Sequence, residues 1–408
     1  MIEESQFASL PGSASPGPAY PAPRNPRISM RVLPGFLQPA LTWLTGQPLP
    51  EQRPWRLRPI HHLVASVVPL VVGVGLGVLL LQFSWWWTIL LPISWLLTTH
   101  GMRKLRAVIL HQCSHENCFR KRWPDLLIGH GIAMLFITQE YKDYKREHIA
   151  DHHSVHHMTM RDPTVQFLVI GLNIRPGMSR RQMWSRLWIT LLSPHYHVMS
   201  TYTRLASHFR STSVWYRVLM ATVLAAEVIL VALTGSWLVV AVVWLVPLTV
   251  LFNASAAIRV CTRHLFPGPG VALTGKEAIA SRTHGIFLGE EVPDKCDPQP
   301  WRFLAWIRWW SRMVFVHFPA RLFVMVGDAP CHDYHHRFPR SRDWANYLFA
   351  RHRDLQHGHA GWPPYTEVWG MASSINAVFD SLRSADPRHY DPAIASNVSS
   401  REYLIFEE

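Results

Sequence analysis

Three stretches of this chain, residues 63–83, 85–102 and 236–258, contain no Asp, Glu, Lys or Arg. At 1.5 Å rise per residue, each is long enough, or nearly so, to cross a hydrocarbon core about 30 Å thick. A fourth run, residues 218–234, carries a single charge at Glu227. Charged residues make up only 16% of the chain, and its 49% of hydrophobic residues are concentrated in these runs. The pattern predicts four transmembrane helices paired as two hairpins, with minimal turns at Ser84 and Gly235. Four such runs disfavour the alternative, buried helices of a large soluble core.

The net charge of +13 by itself suits nucleic acid or an acidic partner, but its placement gives a simpler account. Neither turn contains Lys or Arg, whereas Arg53, Arg56, Arg58, Arg103, Lys104, Arg106, Arg217 and Arg259 lie at the opposite ends of the runs. This is the positive-inside asymmetry, which places both turns outside and the rest in the cytoplasm. The lipid bilayer, in a bacterial inner membrane, is then the expected partner and nucleic acid is not needed. Five cysteines, Cys113, Cys118, Cys261, Cys296 and Cys331, form no CxxC pair, and an odd number on a cytoplasmic surface argues against a disulfide framework.

Residues 1–55 read as a disordered or loosely attached cytoplasmic arm, being rich in Pro, Gly, Ser and Ala without hydrophobic periodicity. Residues 56–345 form the membrane domain, and 346–408 a cytoplasmic C-terminal extension. Continued as helix from Trp85 to Leu110, the second span reaches roughly 39 Å, so that His111 emerges above the membrane. The stretch 126–138 is too short to cross and suits an interfacial or re-entrant helix. Segments 301–310 and 313–326 mix aromatics with Arg and are expected at the interface. Glu227 is a functional candidate by its place within a span, although a protonated packing role is the favoured one.

The chain has 24 histidines, ten of them in three short clusters. The first is His111-Gln-Cys-Ser-His115, whose i, i+4 spacing puts both imidazoles on one helical face. The second is His148-Ile-Ala-Asp-His152-His153-Ser-Val-His156-His157, followed by Asp162-Pro163. The third is His332-Asp-Tyr-His335-His336, in which both neighbours can turn toward the ion that His332 meets. No span separates the first two clusters and two separate the second from the third, so all three return to one side. Neutral imidazole suits iron, copper, zinc and nickel, and the count exceeds one coordination sphere, implying two ions. The expected fold is all-α: four spans in two hairpins under a cytoplasmic, metal-binding helical cap. His100, three turns before His111, is expected to pack, not to bind. Asp151 and Asp333 can orient imidazole N–H groups or sit as solvated charges.

In order and spacing these boxes resemble those of the membrane fatty acid desaturases and related hydroxylases, over about residues 60–345. Tyr144-Lys145-Arg146-Glu147-His148 looks like that family's lead into its second box, and Asp162-Pro163 lies where an Asp-Pro commonly follows. On this alignment the ligands of the second box are His148, His152 and His153, spaced HxxxHH. The usual HxxHH spacing is met instead by His153, His156 and His157, and the register stays open. Arg259-Val-Cys-Thr-Arg-His264 looks like the lead to a further ligand, His264. The Asn that some relatives carry four residues before it is absent, since Val260 stands there.

The resemblance implies two iron ions held by His111, His115, His148, His152, His153, His264, His332, His335 and His336. It also implies O₂ as co-substrate and oxidation of a fatty acyl chain carried by CoA, a carrier protein or a lipid. Desaturation is the expected reaction, with hydroxylases, acetylenases and ketolases using similar boxes. A histidine-rich metal transporter or sensor is the alternative of another class, but it should place ionisable ligands within its spans, and these clusters lie beyond the membrane ends. The sequence shows no Gly-rich dinucleotide fingerprint, no cysteine pattern for an iron–sulfur cluster and no recognisable haem-binding extension. A separate ferredoxin or cytochrome-type donor is therefore expected to dock on the basic cytoplasmic face.

Overall fold

The computed structural model describes residues 25–270, 274–293, 301–358 and 361–395. The chain is mostly helical. Among the described residues, three helices are long and apolar enough to cross a membrane: Pro59–Gln82, Val214–Thr234 and Trp237–Arg263. The run expected as the second span is a rod of changing pitch. It tightens into 3₁₀ geometry over Trp85–Leu90, is α-helical over Leu91–Lys104, widens into a π turn over Leu105–Leu110 and ends on His111–Ser114.

Small residues let this rod lie tightly against Pro59–Gln82. A Cβ on Gly73 would come 2.6 Å from the backbone nitrogen of Thr98, and one on Gly101 would come 2.6 Å from the Ser66 carbonyl oxygen. Ser94 Oγ donates to the Gly73 carbonyl at 2.7 Å. Without water to drive helices together, such close backbone approach and hydrogen bonding are what hold neighbouring spans. Val214–Thr234 behaves differently: Met220 is its one buried residue. Glu227, expected to pack between helices, is exposed on its outer surface. Helix Arg122–Leu135 has 14 residues, too few to cross, in keeping with the interfacial reading. Trp301–Arg312 exposes Trp301, Phe303, Leu304 and Ile307 while burying Trp309, whose indole N–H donates to the Glu290 carbonyl at 3.0 Å.

The described part of the N-terminal arm is folded, contrary to the compositional reading; residues 1–24 lie outside the described residues. Arg27 is fully buried and donates to the Gln47 carbonyl (3.0 Å), Gln38 Oε1 (2.8 Å) and Thr42 Oγ1 (3.0 Å). Met30 and Leu41 pack against Trp309 and Met313. One guanidinium with five donors organises a segment whose hydrophobic pattern is too sparse to announce a fold.

A short parallel sheet departs from the all-α expectation. Gly285–Phe287 pairs with Glu367–Trp369, Ile286 opposite Val368. Helix Tyr347–Gln356 buries Tyr347, Leu348, Phe349 and Ala350 in the cluster that also holds Leu110, Cys113 and Tyr144. Residues 347–350 and 367–369 thus complete the core around the histidines, where an appended extension was expected.

Candidate metal centre

All nine histidines expected as ligands meet in one cluster, delivered by four pieces of chain. The rod's last turn carries His111 and His115, the segment after Tyr141–Glu147 carries His148, His152 and His153, the end of Phe252–Arg263 presents His264, and His332–Arg337 carries the rest. They sort into two groups, each with its ligand nitrogens within 4.8 Å of one another. His111, His115, His148, His153 and His335 form one; His152, His264, His332 and His336 form the other.

The grouping corrects the expectation that His335 and His336 both turn toward the ion His332 meets, and local winding accounts for the sorting in both boxes. Residues 148–152 wind as a π turn, in which the His153 N–H bonds the His148 carbonyl five residues back at 2.9 Å. Wider winding brings i and i+5 into line, so His148 shares its group with His153, and His152 turns to the other. In the third box the winding is α-helical, and adjacent side chains diverge by roughly 100°. His332 and His336, at i and i+4, therefore face one group while His335 faces the other.

Inside the groups the nitrogens are close. Nε2 of His111 lies 3.0 Å from Nε2 of His335, which lies 3.0 Å from Nε2 of His153; Nε2 of His115 and of His148 are 2.9 Å apart. In the second group Nε2 of His332 is 3.2 Å from that of His264 and 3.1 Å from that of His336. Metal–imidazole bonds of about 2.1 Å at right angles put neighbouring donor atoms about 3.0 Å apart, the square root of two times the bond length. These imidazoles therefore fit as two coordination shells. Burial pushes the imidazolium pKa of His111, His148, His153, His264, His332, His335 and His336 well below the ordinary value, and that of His115 down to about 3. The rings are neutral and their lone pairs available, as a metal requires.

The carboxylates behind the rings are not those expected. Asp151 pairs with the exposed Arg161 at 3.1 Å, and Asp333 is taken up by Arg351, whose Nε lies 3.0 Å from both its oxygens. Asp162 instead lies with both oxygens 3.1 Å from Nδ1 of His152. Burial alone would raise the Asp162 carboxyl, but facing His152 and His157 and the Met158 N–H outweigh it and hold the pKa below the usual range. The carboxylate fixes the His152 proton on Nδ1 and aims Nε2 at the group. Tyr347 serves His335 similarly: its hydroxyl oxygen is 3.1 Å from Nδ1 of His335 and accepts from Gln112 Nε2 at 3.0 Å. Asp162 was visible in sequence as half of an Asp-Pro pair; Tyr347 had no signal, because its role depends on a helix beyond the last box.

His157 is buried beside the second group, its Nε2 3.2 Å from Nδ1 of His264, while His156 is half-buried and belongs to neither group. His100 bonds the Leu322 carbonyl through Nδ1 at 2.8 Å, the packing role expected of it. Cys113 joins neither histidine group and sits instead with Cys118 and Asp125.

The sequence profile of the fatty acid desaturase family matches residues 84–369, well over half the chain. The sn-1 oleoyl-lipid 12-desaturase of Anabaena variabilis is 35% identical over 86 residues, 21% of this chain and 23% of that protein. The similarity therefore spans less than a quarter of that relative's length.

Proposed function

This chain belongs to the fatty acid desaturase family, and from that premise we propose that it is a di-iron membrane enzyme that introduces a double bond into a fatty acyl chain. The observation that carries the reading is the pair of imidazole groups, five and four strong, with nitrogens at coordination spacing. Nine clustered imidazoles suit a borderline metal such as iron. Bound iron supplies the activation of O₂ and the removal of hydrogen from unactivated C–H bonds. Overall, a –CH₂–CH₂– unit, O₂, two electrons and two protons give –CH=CH– and two waters.

The chain's own residues provide the frame. His111, His115, His148, His153 and His335 would hold one ion, and His152, His264, His332 and His336 the other. Asp162 keeps the His152 proton on Nδ1, and the Tyr347 oxygen receives the one on His335 Nδ1. Burial of the site excludes bulk water, which protects the reaction from side paths. The relative's name specifies an oleoyl lipid, and a lipid-borne acyl chain is the substrate class we assign here. Purified, iron-loaded protein supplied with lipid, reduced ferredoxin and O₂ is expected to yield an acyl chain lighter by two hydrogens. A product heavier by one oxygen would make the enzyme a hydroxylase.

We further propose that the rod from Trp85 is a fourth span and that the metal centre is cytoplasmic. Cysteines placed at Ser84 and Gly235 should react with an impermeant thiol reagent in intact cells, and a cysteine at Lys142 should not. Labelling at Lys142 would refute this topology.

A further inference from the structure

On the cytoplasmic side of the first span, the strap that precedes Pro59–Gln82 borders a groove of about 420 Å³ lined by Arg53, Arg56, Arg58 and Arg353. Asp343 is the one acid in its lining, and it is already paired with Arg353. Arg53, Arg56 and Arg58 are exposed and have no ion-pair partner among the described residues. Such a concave, single-sign surface attracts an acidic partner and speeds its arrival.

The floor of the groove is joined to the metal centre by a short run of bonds. Leu57, in the strap, donates its N–H to Asn346 Oδ1 at 2.9 Å and accepts from Asn346 Nδ2 at 3.0 Å. Asn346 is bonded covalently to Tyr347, whose hydroxyl is 3.1 Å from Nδ1 of His335, a member of the five-histidine group. Beside this line, the Trp55 ring in the groove wall meets Phe349 edge-on, with centroids 5.2 Å apart. From groove to imidazole the path contains two hydrogen bonds and no gap. A lipid headgroup would use the arginines but has no need of that path.

We propose that this groove is the docking surface for an acidic one-electron carrier of the ferredoxin type, which is oxidised there, one electron per encounter, as electrons pass by Asn346 and Tyr347 toward His335. The proposal rests on the di-iron reading above. A small, charge-steered contact suits the partner, because electron-transfer encounters are brief and bury little surface.

The deciding experiment titrates the full-length protein, as purified, in phosphatidylcholine nanodiscs with a plant-type [2Fe–2S] ferredoxin. Arg53→Glu/Arg56→Glu is expected to weaken binding about tenfold or more at low salt, and the difference should close as salt approaches about 1 M, where screening leaves a Debye length of about 3 Å. Arg181→Glu/Arg186→Glu, an equal change of charge on exposed residues of helix Arg180–Leu192 outside the groove, should bind like wild type. Equal affinity in the groove variant and wild type would overturn the proposal. So would unchanged ferredoxin binding accompanied by loss of a preference for phosphatidylglycerol discs, which would make the groove a lipid site. In iron-loaded protein, the groove variant should slow product formation with ferredoxin and not with dithionite. Wild type that makes no product with either reductant would refute the proposed reaction, while the binding titration would still decide the docking surface.

Discussion

A His148→Ala variant is expected to lose bound iron and turnover together, whereas His156→Gln should keep both. His148 is buried, with Nε2 2.9 Å from that of His115, and it shares its group with four other imidazoles. Its removal opens one position in a shell that the π turn alone can fill from this segment. His156, eight residues on, is half-buried and belongs to neither group. Between these extremes lie the residues behind the ligands. Loss of such a partner typically costs about 10–100-fold in metal affinity or activity, which sets the expectation for Asp162→Asn and for His157→Gln, whose ring backs His264. Metal content and product yield measured on the same preparations give the ranking. Iron and turnover both retained in His148→Ala would remove that residue from the site and return the ligand set to His153, His156 and His157.

The second large effect is on stability. Arg351 and Asp333 are almost wholly buried and joined by three contacts of 2.9 to 3.0 Å, and Arg351 also reaches Glu367 at 2.9 Å. Burial would lower the Arg351 pKa, but the Asp333 charge and its hydrogen bonds outweigh this and raise it. Arg351→Ala leaves a carboxylate stranded next to His332, and breaking a buried pair from one side costs about 3–5 kcal/mol. A marked fall in the thermal unfolding midpoint is expected. Asp333→Asn combined with Arg351→Met should recover part of the loss, because neither charge is then left alone. An unchanged midpoint in Arg351→Ala would show that Asp333 finds another partner or water.

Three of the spans and the clustering of the boxes were legible because each is a local pattern: uncharged runs measure a membrane, and closely spaced histidines share a turn. Their sorting was not. Which ion His152 faces depends on whether residues 148–152 wind as α or π, a choice made by packing and not by the histidines themselves. Asp333 looked like an imidazole partner because it sits within the third box; its true partner, Arg351, lies a helix away. The fold of residues 25–55 was hidden for a related reason. It rests on one buried guanidinium, and an isolated Arg27 among prolines carries no periodic signal.

The strand pairing of Gly285–Phe287 with Glu367–Trp369, and the reach of Arg351 to both Asp333 and Glu367, have a consequence for biosynthesis. Chains leave the ribosome N-terminus first, at about 5–20 residues per second. The first two histidine boxes therefore emerge about ten seconds or more before the segment that clamps the third, and the core around the two groups is not complete until residues 347–369 have been made. A chain truncated after the last histidine box is therefore expected to carry every candidate ligand and still to bind metal more weakly than the full-length protein.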